Sequence, residues 1–120
     1  MLYHVTPAHN LDSILSHGLQ PAIGPRSAQL GEQVYRVYLF TSLEACHEAL
    51  SNWLGEAFED EPDDLIILEV DGRDLSLASE AGYEVASAYA VEAQRIVRVL
   101  DEAGAPTNNH GERIAAPKFK

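Results

Sequence analysis

The stretch LYHVTPAHNLDSILSHG, residues 2–18, decides how the fold begins. Residues 2–6 are rich in Tyr, Val and Thr, which favour half-buried strands. After Asn10, a suitable helix N-cap, three apolar residues recur at helical spacing: Leu11, Ile14 and Leu15. Gly18 stands where a helix commonly ends. The stretch therefore predicts a strand, a tight turn and a short helix, with an ionisable ring, His4, inside the strand.

A second strand and a long helix follow a loop. Residues 20–34 hold two prolines and two glycines without a sustained period, which is typical of a loop. Residues 34–42, VYRVYLFTS, are rich in strand-forming residues. In residues 41–58 the apolar positions recur at helical spacing, and Thr41 with Glu44 fits a capping box. We therefore expect one continuous helix there.

The second half of the chain is dominated by strand patterns. LIILEV at 65–70 is an almost continuous apolar run, and 83–91 and 95–100 are further strand candidates. The order of strand–helix, strand–helix and then strands predicts an α+β domain with two flanking helices and a mixed or antiparallel sheet. We expect this domain to span residues 1–103 and residues 104–120 to form a loosely held tail.

Composition excludes several classes of protein. With 120 residues and 46% hydrophobic content, one compact core is expected. The formal net charge of -11 disfavours generic nucleic-acid binding, which depends on basic side chains. Cys46 is the single cysteine, and no apolar run approaches the ~20 residues of a membrane span. We therefore expect a cytoplasmic protein without membrane attachment, and the spacing of its histidines predicts no metal site.

Three short motifs in order carry a resemblance to a known family. These are YHVT in the first strand, VYLFTS before the long helix and YEVASAYAVEAQRIVRV near the end. Together they resemble the ADP-ribosyltransferase fold, and within it the His-Tyr-Glu branch that includes diphtheria-toxin-like enzymes, poly-ADP-ribose polymerases and rifampin ADP-ribosyltransferases. The resemblance spans roughly residues 2–100 and implies a split sheet and NAD as co-substrate.

The resemblance assigns roles to individual residues. It implies that His4 binds the NAD ribose, that Tyr38 stacks on nicotinamide and that Glu84 is the acidic residue, with Glu80 and Glu92 as competitors. These three motif residues are then expected to converge on one cleft.

The backbone beside His4 is also expected to contact the co-substrate. Val5 stands where the family commonly has glycine, and the backbone of Val5 and Thr6 would bind the nicotinamide amide. Arg26 and Ser27, in the loop motif GPRS, are candidates for binding the dinucleotide, because a guanidinium matches pyrophosphate oxygens bidentately.

The chemistry asks for the same residue types independently. Cleavage of the nicotinamide–ribose bond builds oxocarbenium-like positive charge, which a fixed carboxylate such as Glu84 stabilises. A flat aromatic ring such as that of Tyr38 suits the cationic nicotinamide. Each residue also has a structural alternative: His4 and Tyr38 as packing residues, Glu84 as a solvent-facing strand residue, and Arg26 as a surface ion-pair partner.

Three functions are consistent with these observations. The first is a mono-ADP-ribosyltransferase, toxin-like or defensive and of a bacterial type, that transfers ADP-ribose from NAD to an unidentified protein, nucleic-acid or small-molecule acceptor. The second is an RNA 2′-phosphotransferase that uses NAD. The third is a non-catalytic module of the same fold that binds NAD or a protein.

Overall fold

A computed structural model describes residues 1–23, 35–79 and 84–107 of the chain. Strand β1 (Leu2–Pro7) is followed by a 3-10 turn and by helix α1 (Leu11–His17), as the N-terminal sequence predicts. Asn10 is the N-cap residue of α1, as expected, but its side chain makes no capping hydrogen bond. Its Nδ2 instead donates to Thr6 Oγ1 at 3.0 Å, which ties the start of the helix to the end of β1.

The long helix expected at 41–58 is two helices, α2 (Leu43–Leu50) and α3 (Trp53–Ala57). The Ser51 hydroxyl and the Asn52 amide donate to backbone carbonyls one turn earlier, at 3.0 and 2.9 Å, and so end α2. Apolar periodicity continues across the break and does not reveal it. The described residues thus contain three α-helices where two were expected.

The N-cap of α2 is also one residue later than expected. Ser42 is the cap, and its Oγ accepts from the backbone N–H of Ala45 at 3.0 Å. The backbone of Ser42 is extended, as an N-cap requires. The capping box that was expected to begin at Thr41 is therefore wrong.

The strands form one antiparallel sheet. Besides β1 they are β2 (Ala22–Ile23), β3 (Tyr35–Phe40), β4 (Leu65–Val70), β5 (Ala78–Ser79), β6 (Glu84–Ser87) and β7 (Ile96–Asp101). Their order across the sheet is β5-β6-β3-β1-β4-β7, with β2 pairing with β3 outside this path. Every strand pair among the described residues is antiparallel, so the α+β expectation is confirmed and the antiparallel alternative is the correct one.

Strands β1 and β3 separate soon after they meet. β1 pairs with β4 along its whole length, from Leu2↔Val70 to Pro7↔Leu65. On its other side the paired position is Tyr3↔Phe40, which is one register position against six with β4. The sheet therefore opens between two strands at its centre, and not only at its outer edges.

The sheet is covered by helices on both faces. One buried cluster includes Leu11 and Ile14 of α1, and the other includes Cys46 and Ala49 of α2 with Leu54 of α3. Residues of β1, β3 and β4 contribute to both clusters through alternation along each strand. The two cores fix the positions of the strands that surround the central opening.

The chain continues beyond β7 as a turn that pairs back onto it. The Asp101 N–H donates to the Ala105 carbonyl at 2.7 Å, and the Thr107 N–H donates to the Val99 carbonyl at 3.1 Å. Residues 104–107 of the expected tail are thus attached to the sheet, and residues 108–120 lie outside the described residues. Within the described ranges, every helix is too short or too polar to cross a lipid bilayer.

Candidate functional site

A cavity of about 380 Å³ lies where β1 and β3 separate. It is lined by the second half of β1, by α1 and the residues after it, by β3, by α3 and by the first residue of β6. The volume falls within the range of about 300–1,000 Å³ that is usual for small-molecule sites. We call it the β1–β3 cavity.

His4 lines the cavity and bridges the two strands. Its Nδ1 lies 2.8 Å from the backbone carbonyl oxygen of Tyr38. A carbonyl can only accept, so Nδ1 carries the proton and Nε2 of the neutral ring is an acceptor. Burial lowers the pKa of His4, and the hydrogen bond to Tyr38 offsets this effect only in part. At neutral pH the ring is therefore uncharged, with one nitrogen committed to the fold.

Val5 and Thr6 follow His4 along the cavity wall. The Val5 side chain is 8% exposed and belongs to the same buried cluster as Phe40 and Leu54. Thr6 is also buried, and its hydroxyl oxygen accepts from Asn10. Asn10 donates to the Thr6 oxygen, so this bond does not use the proton of the Thr6 hydroxyl.

An aromatic wall closes the side of the cavity next to α3. Tyr38 is half-buried and lies two residues before Phe40 on β3, so both rings are on the same face of the strand. The Phe40 and Trp53 ring centroids are 6.2 Å apart and the ring planes are inclined by 38°. Phe58, which ends α3, also lines the cavity. This wall can hold a flat heterocycle.

Glu84 is a buried acidic residue that lines the same cavity. Only 6% of it is exposed, and it is the first residue of β6, directly opposite Phe40. Of the competing acids, Glu92 is exposed and does not line the cavity. Glu80 lies outside the described residues. The lining of the cavity thus includes His4, Tyr38 and Glu84, from three different strands. The pairing of Tyr3 with Phe40 places Tyr38 and Glu84 on the face of the sheet that carries Tyr3, whereas His4 alternates to the other face and reaches the cavity where the strands separate.

One lining residue was not anticipated from the sequence. Arg36 on β3 lines the cavity, whereas the expected dinucleotide-binding residues Arg26 and Ser27 lie outside the described residues. Arg36 precedes Tyr38 by two positions, so the period of a strand places them on the same face. That spacing was the sequence feature that could have identified it.

Other reactive residues do not contribute to this site. Cys46 is fully buried in the core, and burial raises the pKa of its thiol to about 12. A thiol in that environment is not a nucleophile at neutral pH. In the part of the chain that the structure describes, no three His, Cys, Asp or Glu side chains form a cluster suited to a metal ion.

No protein-family model matches this chain, and neither a curated protein nor a solved structure does. The geometry of the β1–β3 cavity is therefore the feature of the molecule that bears on its function.

Proposed function

We propose that this protein is an NAD-dependent mono-ADP-ribosyltransferase with an ADP-ribosyltransferase-like fold of the His-Tyr-Glu branch. In this proposal the β1–β3 cavity binds the nicotinamide end of NAD. The observation that carries the proposal is the placement of Glu84: a buried acidic side chain shares one cavity with the Tyr38 ring and the neutral His4. The opening of the sheet between β1 and β3 also supports it.

Each of the three residues has a distinct part in the proposed reaction. The C1′–N bond of NAD breaks, its electron pair neutralises the nicotinamide ring, and positive charge builds on the ribose before the acceptor attacks. The Glu84 carboxylate stabilises that charge and accepts a hydrogen bond from a ribose hydroxyl. Tyr38 stacks on the nicotinamide, and His4 Nε2 accepts a second hydrogen bond from the ribose.

The backbone around Val5 is the proposed site for the nicotinamide carboxamide. The Val5 side chain packs among core residues, so the wider side chain that replaces the family's common glycine is accommodated by the core. Thr6 contributes its buried hydroxyl beside it. Arg26 and Ser27 remain candidates for contacting the dinucleotide from the loop that contains them.

The reaction is tested by nicotinamide release from NAD. Purified protein is incubated with NAD, with and without cell lysate as a source of acceptors, and free nicotinamide is quantified by chromatography. Release that disappears in Glu84→Gln but persists in Glu92→Gln is the expected result. NAD labelled in the adenylate moiety then identifies the acceptor as the species that takes up the label.

Two further measurements distinguish the other functions from this one. A 2′-phosphorylated RNA oligonucleotide that loses its phosphate in the presence of NAD would identify a 2′-phosphotransferase. Binding of NAD without nicotinamide release under any condition would identify a non-catalytic module. Absence of both binding and release would contradict the proposed function.

A further inference from the structure

Arg36 is positioned at the end of the cavity wall farthest from the acidic residue. It is the second residue of β3, where it pairs with Ala22 of β2. Arg36, Tyr38 and Phe40 share one face of the strand, and Glu84 lies opposite Phe40. With a rise of ~3.3 Å per residue, Arg36 and Phe40 are separated by about 13 Å of strand. The cavity therefore has a basic residue toward one end and an acidic residue toward the other.

The other arginines in the described ranges have partners within the fold. Arg73 forms an ion pair with Asp71 at 2.7 Å, and Arg98 forms one with Glu69 at 3.1 Å. Arg95 donates to two backbone carbonyls. These three side chains serve the region of β4 and β7 and do not line the β1–β3 cavity.

Arg36 differs from them in its contacts. Its hydrogen bond is a long one, 3.3 Å, from Nη1 to the carbonyl oxygen of the adjacent Tyr35. Among the described residues it forms no ion pair with a carboxylate, although the chain has 19 acidic and 8 basic residues. A guanidinium has five N–H donors, so several of those of Arg36 are available to a ligand.

The charges of the cavity indicate what kind of ligand it fits. Glu84 supplies the carboxyl group and Arg36 the guanidinium among the described lining residues, and His4 is neutral. The polar side chains on the α1 side of the cavity carry no charge: Asn10, Ser13 and Gln20. The complementary ligand is a zwitterion with a cationic ring near Glu84 and an anionic group several ångströms away. A pyridinium nucleotide has this arrangement, because its ribose joins the cationic ring to a phosphate.

We propose that Arg36 binds the phosphate attached to the nicotinamide ribose and so fixes the direction in which the dinucleotide enters the cavity. This inference rests on the proposed function. It adds to that proposal the residue that binds the phosphate. A bidentate, charge-assisted contact between guanidinium and phosphate is the physical basis. The electrostatic preference also selects the oxidised cofactor, whose ring is cationic, over the reduced one.

The test compares two ligands that differ by one phosphate. Nicotinamide mononucleotide and nicotinamide riboside are titrated into the parent protein, Arg36→Gln, Arg36→Lys and Arg98→Gln, with calorimetry or the fluorescence of Trp53 as the signal. Trp53 is the single tryptophan and lines the cavity, so its emission reports on occupancy. Arg98→Gln removes the same charge from a strand outside the cavity and is the matched control.

The parent is expected to bind the mononucleotide at least about tenfold more tightly than the riboside. Arg36→Gln should lose most of this difference while its affinity for the riboside changes less than about twofold, and Arg36→Lys should retain part of it. Arg98→Gln should behave as the parent does. Unchanged circular dichroism and melting temperature show that each variant is folded.

Two results would overturn the assignment of Arg36 while leaving the proposed function intact. One is equal affinity of the parent for the two ligands, and the other is a mononucleotide preference that survives in Arg36→Gln. Loss of the preference in Arg26→Gln instead would transfer the phosphate role to Arg26.

Inorganic pyrophosphate separates failure of the proposed function from failure of this inference. If neither nicotinamide ligand binds the parent but pyrophosphate binds and is lost in Arg36→Gln, the phosphate site stands and the proposed function fails. If none of the three ligands binds the parent, both proposals are overturned.

Discussion

The Nδ1 atom of His4 lies 2.8 Å from the carbonyl oxygen of Tyr38, across the opening where β1 and β3 cease to pair. A side-chain hydrogen bond thus joins the two strands at a position where they do not pair through their backbones. The bond orients the imidazole and directs its second nitrogen away from the Tyr38 carbonyl. Structural and ligand-binding roles of this histidine are therefore compatible, because each uses a different nitrogen.

The pH dependence of stability should report on His4. Burial lowers its pKa below the ordinary value of 6.5, so the unfolded chain takes up a proton at higher pH than the folded one. The free energy of unfolding should therefore decrease as the pH falls below about 6.5, until the folded ring is also protonated. Denaturant titrations between pH 8 and 5 should show a smaller decrease for His4→Gln, which retains a donor but does not titrate.

Two carboxyl groups with lowered pKa values titrate at lower pH, so they do not contribute to the change in stability between pH 8 and 5. Backbone and side-chain hydrogen bonds lower the pKa of Asp63 and of Asp71, the latter to about 2, from the ordinary 3.8. Their contribution is lost only at more acidic pH. Equal loss of stability in the parent and in His4→Gln down to pH 5 would contradict the assignment of a neutral, half-buried His4 with a lowered pKa.

Glu84→Gln should separate binding from turnover. The substitution preserves size and some hydrogen bonding but removes the charge that is proposed to stabilise the transition state. We expect NAD affinity within a few-fold of the parent and nicotinamide release reduced by about 10²-fold or more. The exposed Glu92 provides the control Glu92→Gln. Unchanged release in Glu84→Gln would assign the chemistry to another acid.

Substitutions at Tyr38 distinguish stacking from hydrogen bonding. Tyr38→Phe keeps the ring and should retain NAD affinity. Tyr38→Ala should weaken it by about fivefold or more, since an aromatic contact contributes roughly 1 kcal/mol beyond its buried area. Tyr35→Ala removes an exposed ring from the same strand and should leave affinity unchanged. Titrations in which Tyr38→Ala binds NAD as the parent does would restrict Tyr38 to a packing role.

Gly18→Ala should destabilise the junction between α1 and the segment that follows it. Gly18 has a φ of +79°, and an added Cβ would lie 2.4 Å from the Val91 carbonyl oxygen. We expect a loss of about 1–3 kcal/mol in the free energy of unfolding. Ser16→Ala, at an exposed position of the same helix, should change it by less than about 0.5 kcal/mol. Equal denaturation midpoints for the two variants would contradict this expectation.

Elements with strong local patterns were predictable from the sequence. The apolar run at 65–70 is β4, residue for residue, and the helix before Gly18 ends where the glycine indicated. The strand expected at 83–91 is shorter, because the Ser87 side chain bonds both the backbone N–H and the carbonyl of Tyr89. Such polar terminations depend on side-chain geometry, which periodicity does not contain.

At the candidate site, the features that could not be predicted from the sequence are those that depend on tertiary contacts. The order of the motifs was enough to anticipate that His4, Tyr38 and Glu84 line one cavity. Arg36 could have been placed beside Tyr38 from its spacing, but its distinctive property could not be predicted. Arg73 and Arg98 have acidic partners and Arg36 has none among the described residues, and such pairings depend on tertiary contacts.

The separation of β1 from β3 places a strand edge in the interior of the molecule. Outer strand edges expose backbone groups to other chains and favour aggregation, but this internal edge lies beside a cavity that residues of α1 and α3 help to line. The fold thus keeps part of its strand backbone beside a cavity rather than at the outer rim of the sheet, where aggregating chains would meet it.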